Sequence, residues 1–277
     1  FLTKQQGEWV CYSYAWNDQQ TDAELVESHG RDVEIAIRTE TGQRKQKWHF
    51  PSRAECMVCH SRAANFVLGV SAPQLNRDHD YGGVIDNQLR TLEWLELFRV
   101  DPRADGVKHY RQLLIDSGQT DEQADADVET GKETRNQRPQ ISSGMLLAKP
   151  PAAYDRLADP YDNKADLNAR ARSYLHVNCA SCHIGAGGGN AQIDLAYTTP
   201  AKNLKAIDVK PLHNAFEIGD PSIIAAGSPE RSVLLHRMQT RGTGQMPPLA
   251  THNADERANE LMREWIASLE PLKEESP

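Results

Sequence analysis

The sequence predicts a mainly α-helical protein with a small β unit at its N-terminus. Three observations carry that expectation. Ala258, Leu261, Met262, Trp265, Ile266 and Leu269 fall on one face of a terminal segment at helical spacing. Leu167, Ala171, Tyr174 and Leu175 repeat the pattern behind Asp166, a suitable N-cap. In the first fifty residues the period changes. Val33, Ile35 and Ile37 alternate with Asp32, Glu34 and Ala36, and Trp9 to Tyr14 is rich in strand formers.

The remaining elements follow in order. Thr41-Gly42 provides a turn, and Lys47 to Phe50 returns as the partner strand. Pro51 ends that strand. Ser52 and Glu55 then form an S-x-x-E capping box that starts a short helix. Ile85, Leu89, Leu92 and Leu95 predict a second helix over 85–98. Residues 116–138 carry seven acids, three bases and almost no large apolar side chain, so they read as a solvated linker.

Composition narrows the function. A chain of 277 residues has room for a large core and about two domains. No uninterrupted apolar run exceeds four residues, against about 20 for a membrane-spanning helix. A net charge of −8 argues against nucleic-acid binding and permits steering towards a basic partner.

The cysteines are more specific. Four of the five stand in two runs, Cys56-Met57-Val58-Cys59-His60 and Cys179-Ala180-Ser181-Cys182-His183. CxxCH is the attachment motif of c-type haem. The two-residue gap sets two sulfurs about one helical turn apart, within reach of neighbouring haem vinyl groups. The adjacent histidine then lies under the iron. A zinc site usually keeps its halves about 15–20 residues apart; these runs are 123 positions apart. Two covalently attached haems are therefore expected, with Cys56, Cys59, Cys179 and Cys182 as anchors and His60 and His183 as iron ligands. Such attachment implies a periplasmic or otherwise extracytoplasmic location. The opening Phe1-Leu2-Thr3-Lys4 suggests a processed form or a piece of a longer protein. Cys11 reads as a buried small residue, with an intermolecular disulfide as the alternative.

Over roughly residues 165–272, the order helix, CxxCH, Gly-rich loop (Gly185 to Gly189), Gly244-Gln245-Met246-Pro247-Pro248 and terminal helix resembles the class I cytochrome c family. In that family the first and last helices cross, and the Met of the Met-Pro loop is the second axial ligand. The resemblance implies His183 and Met246 as the ligand pair of the second iron. No Met-Pro loop follows His60. By position, His79 in the loop before the 85–98 helix is the leading sixth ligand for the first iron. Met145 comes next, with His49 and His109 behind it and an open site as the alternative.

The whole chain is also similar to a bacterial family of dihaem c-type cytochromes. The carrying residues are Tyr14 to Asn17, Gln20 to Ala23, Trp48, Phe50 to Arg53, Leu68-Gly69, Gln74 to Asn76, and Arg170 to Leu175. Related regions sometimes accompany sugar-dehydrogenase-like domains that use pyrroloquinoline quinone.

The expected organisation is a β-rich unit at 1–50, a first haem module at 51–115, a polar linker at 116–164 and a cytochrome c-like second haem module at 165–277. The expected role is electron transfer between a donor dehydrogenase and an acceptor. Two alternatives accompany it. One is a dihaem peroxidase with an open iron at His60 and His79 or Glu55 as the acid–base group. The other is a sensor or docking module of a larger protein.

Overall fold

The computed structural model describes residues 1–40, 42–62, 66–100, 115, 120–126, 146–147, 149–184 and 189–271. The chain forms two compact units. The first joins Phe1–Gly69 to Ala158–Pro277, and the second is Val70–Leu157.

The first unit opens with three antiparallel hairpins. β1 (Leu2–Gln5) pairs with β2 (Glu8–Cys11), and β3 (Tyr14–Trp16) pairs with β4 (Ala23–Leu25). β5 (Arg31–Thr39) pairs along its whole length with β6 (Gly42–Phe50). Thr39 faces Gly42 at the tip, and Val33 faces Trp48. The alternation in β5 sets this register, because a one-residue slip would turn every side chain to the other face. Behind Pro51, Ser52 caps α1 (Arg53–Cys59). The Glu55 N–H donates to Ser52 Oγ at 3.2 Å, and the Ser52 N–H donates to the Glu55 carboxylate at 2.8 Å. Two free donors of the first turn are thereby satisfied.

The returning half carries three α-helices, α4 (Leu167–Asn178), α5 (Val233–Gln239) and α6 (Glu256–Ser268), among the described residues. Asp166 caps α4 through the Ala169 N–H at 2.8 Å, and Asp255 caps α6 through the Ala258 N–H at 3.0 Å. α4 packs on α6, and Leu175, Leu195, Leu204, Ile224, Met262, Trp265 and Ile266 are fully buried there. Each such side chain is worth about 1.5–3 kcal/mol in burial, so this cluster dominates the first unit's stability. Trp265 also donates its indole N–H to Asn168 Oδ1 across the helix pair, at 3.0 Å.

The hairpins and this helical half meet inside the first unit. Arg44 Nη1 donates to Asn253 Oδ1 at 3.2 Å, and the Trp48 and His252 rings lie 4.8 Å apart.

The second unit contains α2 (Ala72–Leu75), β7 (Asp78–Asp80) paired with β8 (Ile85–Asn87), and α3 (Gln88–Trp94). β9 (Arg99–Val100) runs parallel to β10 (Leu146–Leu147). Buried Asn76 ties the unit together. Its amide donates to the Tyr154 carbonyl at 2.8 Å, and its Oδ1 accepts from Asn87 at 2.8 Å.

Three expectations change here. The protein is not the mainly α-helical pair of cytochrome c-like modules expected: 29% of residues are helical, and 20% lie in strands of small sheets. Sequence periodicity favours the long amphipathic helices, whereas every strand outside β5 and β6 among the described residues is only two to four residues long and leaves little periodic signal. The helix expected over 85–98 is shorter. Ile85 to Asn87 form β8, Ile85 is 72% exposed, and Asn87 caps α3 by accepting the Arg90 N–H at 3.0 Å. Within the expected linker, 121–126 are helical and Ala124 is fully buried. Thr120 and Gln123 exchange hydrogen bonds at the start of that helix, at 3.1 and 3.3 Å. Most of 116–138 lies outside the described residues.

Candidate functional site

Both CxxCH runs belong to the first unit, and each closes the same helical turn. In the first run, on α1, the His60 N–H donates to the Cys56 carbonyl at 3.0 Å. In the second, just past α4, the His183 N–H donates to the Cys179 carbonyl at 2.9 Å. The two cysteines and the histidine of each run thus share one turn.

The two histidines differ at Nδ1. His60 Nδ1 lies 2.6 Å from the Phe66 carbonyl oxygen. A carbonyl only accepts, so Nδ1 is the donor, which leaves Nε2 as the nitrogen that could meet a metal. Val58 and Val67 are 57% and 55% exposed in the same stretch of chain, leaving apolar surface open beside the motif.

His183 Nδ1 is buried and has no hydrogen-bond partner among the described residues. The Ala191 backbone bears on the ring and favours its protonation, but burial outweighs this, and the charge of Arg237 adds to burial. The imidazole is therefore held below its ordinary pKa, in the neutral form that a metal needs. Gly189 lies against this ring. A Cβ there would stand 2.6 Å from Nδ1 and 3.1 Å from the Cys182 carbonyl. The Gly189 N–H donates to that carbonyl at 3.0 Å, and the Leu195 N–H donates to the His183 carbonyl at 2.8 Å. Of the expected Gly-rich loop, 185–188 lie outside the described residues.

Buried Arg172 secures the segment after the second motif, its Nη2 donating to the Ala196 and Thr199 carbonyls at 2.6 and 2.7 Å. His176 accepts the Tyr197 N–H on Nδ1 at 3.2 Å. Burial and Arg172 lower its pKa, so it too stays neutral.

Met246 is half-buried in its Pro-flanked loop, and its N–H donates to the Arg237 carbonyl at 3.0 Å. Arg237 Nη1 donates to the Gly244 carbonyl at 3.0 Å, and its guanidinium lies 4.5 Å from the Phe216 ring centre. Gly244 has a φ of +91°, and a Cβ there would meet Phe216 at 2.6 Å. Arg237 thus braces the Met246 loop while its charge acts on His183. It was not singled out from the sequence, where nothing separates it from any other surface arginine.

Burial, then Cys182, raises the Cys59 thiol. Cys11, buried on β2, lies 3.8 Å from Met57 Sδ, and burial, then Cys56, raises its thiol. Burial, then Cys182, pushes the Cys179 thiol up to about 12.

The sixth-ligand candidates for the first iron are dispersed. His79 sits exposed on β7 in the second unit, with its ring edge-on to Tyr81 at 4.5 Å. Both ring nitrogens of His49 are occupied, Nδ1 by Asp32 at 2.7 Å and Nε2 by Glu55 at 3.0 Å. Met145 and His109 lie outside the described residues.

The donor set fits covalent haem. Each run offers two free thiols on one turn with a histidine, His60 hydrogen-bonded at Nδ1 and His183 close to Gly189 there. No group of three or more His, Cys, Asp or Glu residues arranged for a metal ion occurs among the described residues. Among those residues, no helix is long and apolar enough to cross a membrane. No protein-family model matches the chain, and no curated protein or solved structure does either.

Proposed function

We propose that this chain is a dihaem c-type electron-transfer protein that acts outside the cytoplasm. The observation that carries the reading is the repeated turn: two CxxCH runs, 123 positions apart, adopt the same His-to-Cys backbone closure within one unit. Cys56 and Cys59 would hold one haem, and Cys179 and Cys182 the other, with His60 and His183 as iron ligands. When bound, each haem supplies one-electron exchange at iron. Met246, in the loop braced by Arg237, would give the second iron a thioether ligand, which favours the ferrous state.

The partners proposed are a donor dehydrogenase, of which a pyrroloquinoline-quinone enzyme is one candidate class, and a more basic acceptor. The peroxidase alternative draws on Glu55 or His79 as acid–base group. Glu55 is committed to the Ser52 N–H and to His49, and the Ser52 bond leads in holding its carboxyl below the usual range.

The test is to export the chain in a host with c-haem maturation and count covalent haem on denatured protein. Two haems per chain are expected, falling to one in Cys56→Ala/Cys59→Ala and to one in Cys179→Ala/Cys182→Ala. A chain that retains no haem after denaturation overturns the reading. Electron paramagnetic resonance of the oxidised protein then separates the roles. Two low-spin signals support electron transfer, whereas a high-spin signal worth one haem supports the peroxidase.

A further inference from the structure

Arg44, Gln46 and Trp48 share one face of β6, because side chains alternate along a strand. Lys45, Lys47 and His49 take the other face, where they pair with Glu34 and Asp32 of β5. Two residues of the first face reach the segment that follows the Met246 loop. Arg44 Nη1 donates to Asn253 Oδ1 at 3.2 Å, across 209 positions of chain. The Trp48 ring lies 4.8 Å from the His252 ring, tilted by 45°. Between them on the strand, Gln46 Oε1 is buried.

The same segment is tied to the loop itself. Gln245, next to Met246, donates from Nε2 to the Thr251 carbonyl at 3.2 Å and to the Pro247 carbonyl at 2.9 Å. Its Oε1 accepts the Gly242 N–H at 2.7 Å. The Asn253 carbonyl accepts from Arg241 Nη2 at 2.8 Å and from Thr251 Oγ1 at 3.2 Å. Thr251 to Asn253 are thus held by the hairpin and by residues flanking Met246.

We infer that the β5–β6 hairpin is a clamp on the Met246 loop, in which Arg44 and Trp48 are positioning residues that hold Thr251 to Asn253 against Gln245 and so keep the Met246 thioether on the second iron. A methionine side chain has three rotatable bonds, so its hold on a metal depends on how firmly its backbone is placed. The hairpin, drawn from the first fifty residues, becomes part of the site built by the last hundred. The bearing on iron rests on Met246 being the ligand proposed above; the contacts between hairpin and loop do not.

The experiment titrates the oxidised holoprotein, exported with c-haem maturation, with imidazole. Imidazole competes with a thioether for ferric iron, and loss of the weak red absorption band of the iron–methionine bond reports the exchange. Arg44→Ala and Trp48→Ala should each raise the apparent imidazole affinity about tenfold, as expected when a support of a metal ligand is lost. Lys45→Ala breaks an exposed ion pair with Glu34 on the other face, 2.6 Å long, and should leave the affinity unchanged. No change in either Arg44→Ala or Trp48→Ala overturns the role given to that residue, and no change in both overturns the clamp. An equal shift in Lys45→Ala overturns it too, because the hairpin has then loosened as a whole. Amide hydrogen exchange over 242–253 is a second readout that needs no iron. It should quicken about tenfold in both variants, and unchanged rates overturn the clamp whatever the haem content. Arg44 is exposed, so its variant decides the matter if Trp48→Ala does not fold. A parent protein without the red band rejects Met246 as a ligand, and the exchange rates then judge the clamp on the loop by themselves.

Discussion

Gly189 lacks a side chain because His183 already fills the space that one would need. Gly189→Ala places a methyl against Nδ1, and the backbone on both sides is pinned by hydrogen bonds, so the imidazole must move. A loss of about 1–3 kcal/mol in unfolding free energy is expected, as for other overpacked sites. In the proposed dihaem form, the second haem should also lose low-spin character, which distinguishes a displaced ligand from a merely weakened fold. Met246→Ala tests the other ligand proposed for that haem. Loss of the thioether should lower the potential of one haem and leave the other unchanged in a redox titration. His49 gives a pH signature. Asp32, then Glu55, raises its pKa above the ordinary value near 6.5. Its contribution is therefore complete below pH 6.5 and is lost as pH rises through the higher folded value. Asp32 is lowered by Lys47 and His49, and Glu55 by Ser52 and His49, so their contributions disappear at the acid end. Melting temperature should decline above pH 6.5, and His49→Asn should flatten that limb.

At the scale of elements, the sequence disclosed what is settled within one or two turns. The Ser52–Glu55 box and the Asp166 cap are local exchanges of hydrogen bonds, and both stand where the residues implied. The buried face of α6 likewise follows from periodicity. The helix over 85–98 shortened to Gln88–Trp94, because Ile85 fits a strand as well as a helix and the Asn87 cap starts the helical turn later. The surroundings of Cys11, Gly189 and Arg237 depend on residues more than five positions away, which no window of sequence displays. Two substitutions follow. Ser52→Ala removes one half of the capping box and should cost about 1 kcal/mol. Trp265→Ala empties a fully buried position between α4 and α6 and should cost about 3–5 kcal/mol. Chemical denaturation of the holoprotein measures both, and a loss under 1 kcal/mol at Trp265 would mean that the helix pair is not the main source of stability.

For the whole molecule, the net charge of −8 sets a long-range field. Electron exchange with a basic partner should slow as salt rises, in stopped-flow mixing, and exchange with a neutral small reductant should not. The first unit is also discontinuous: Phe1–Gly69 is completed only by Ala158–Pro277. During synthesis from the N-terminus, His60 appears long before the helices that finish its unit. At that point α1 has beside it only what precedes it in the chain, the β2 strand it packs on and His49 of β6 on Glu55. Of the two CxxCH segments, the one made first therefore waits longer for the rest of its unit.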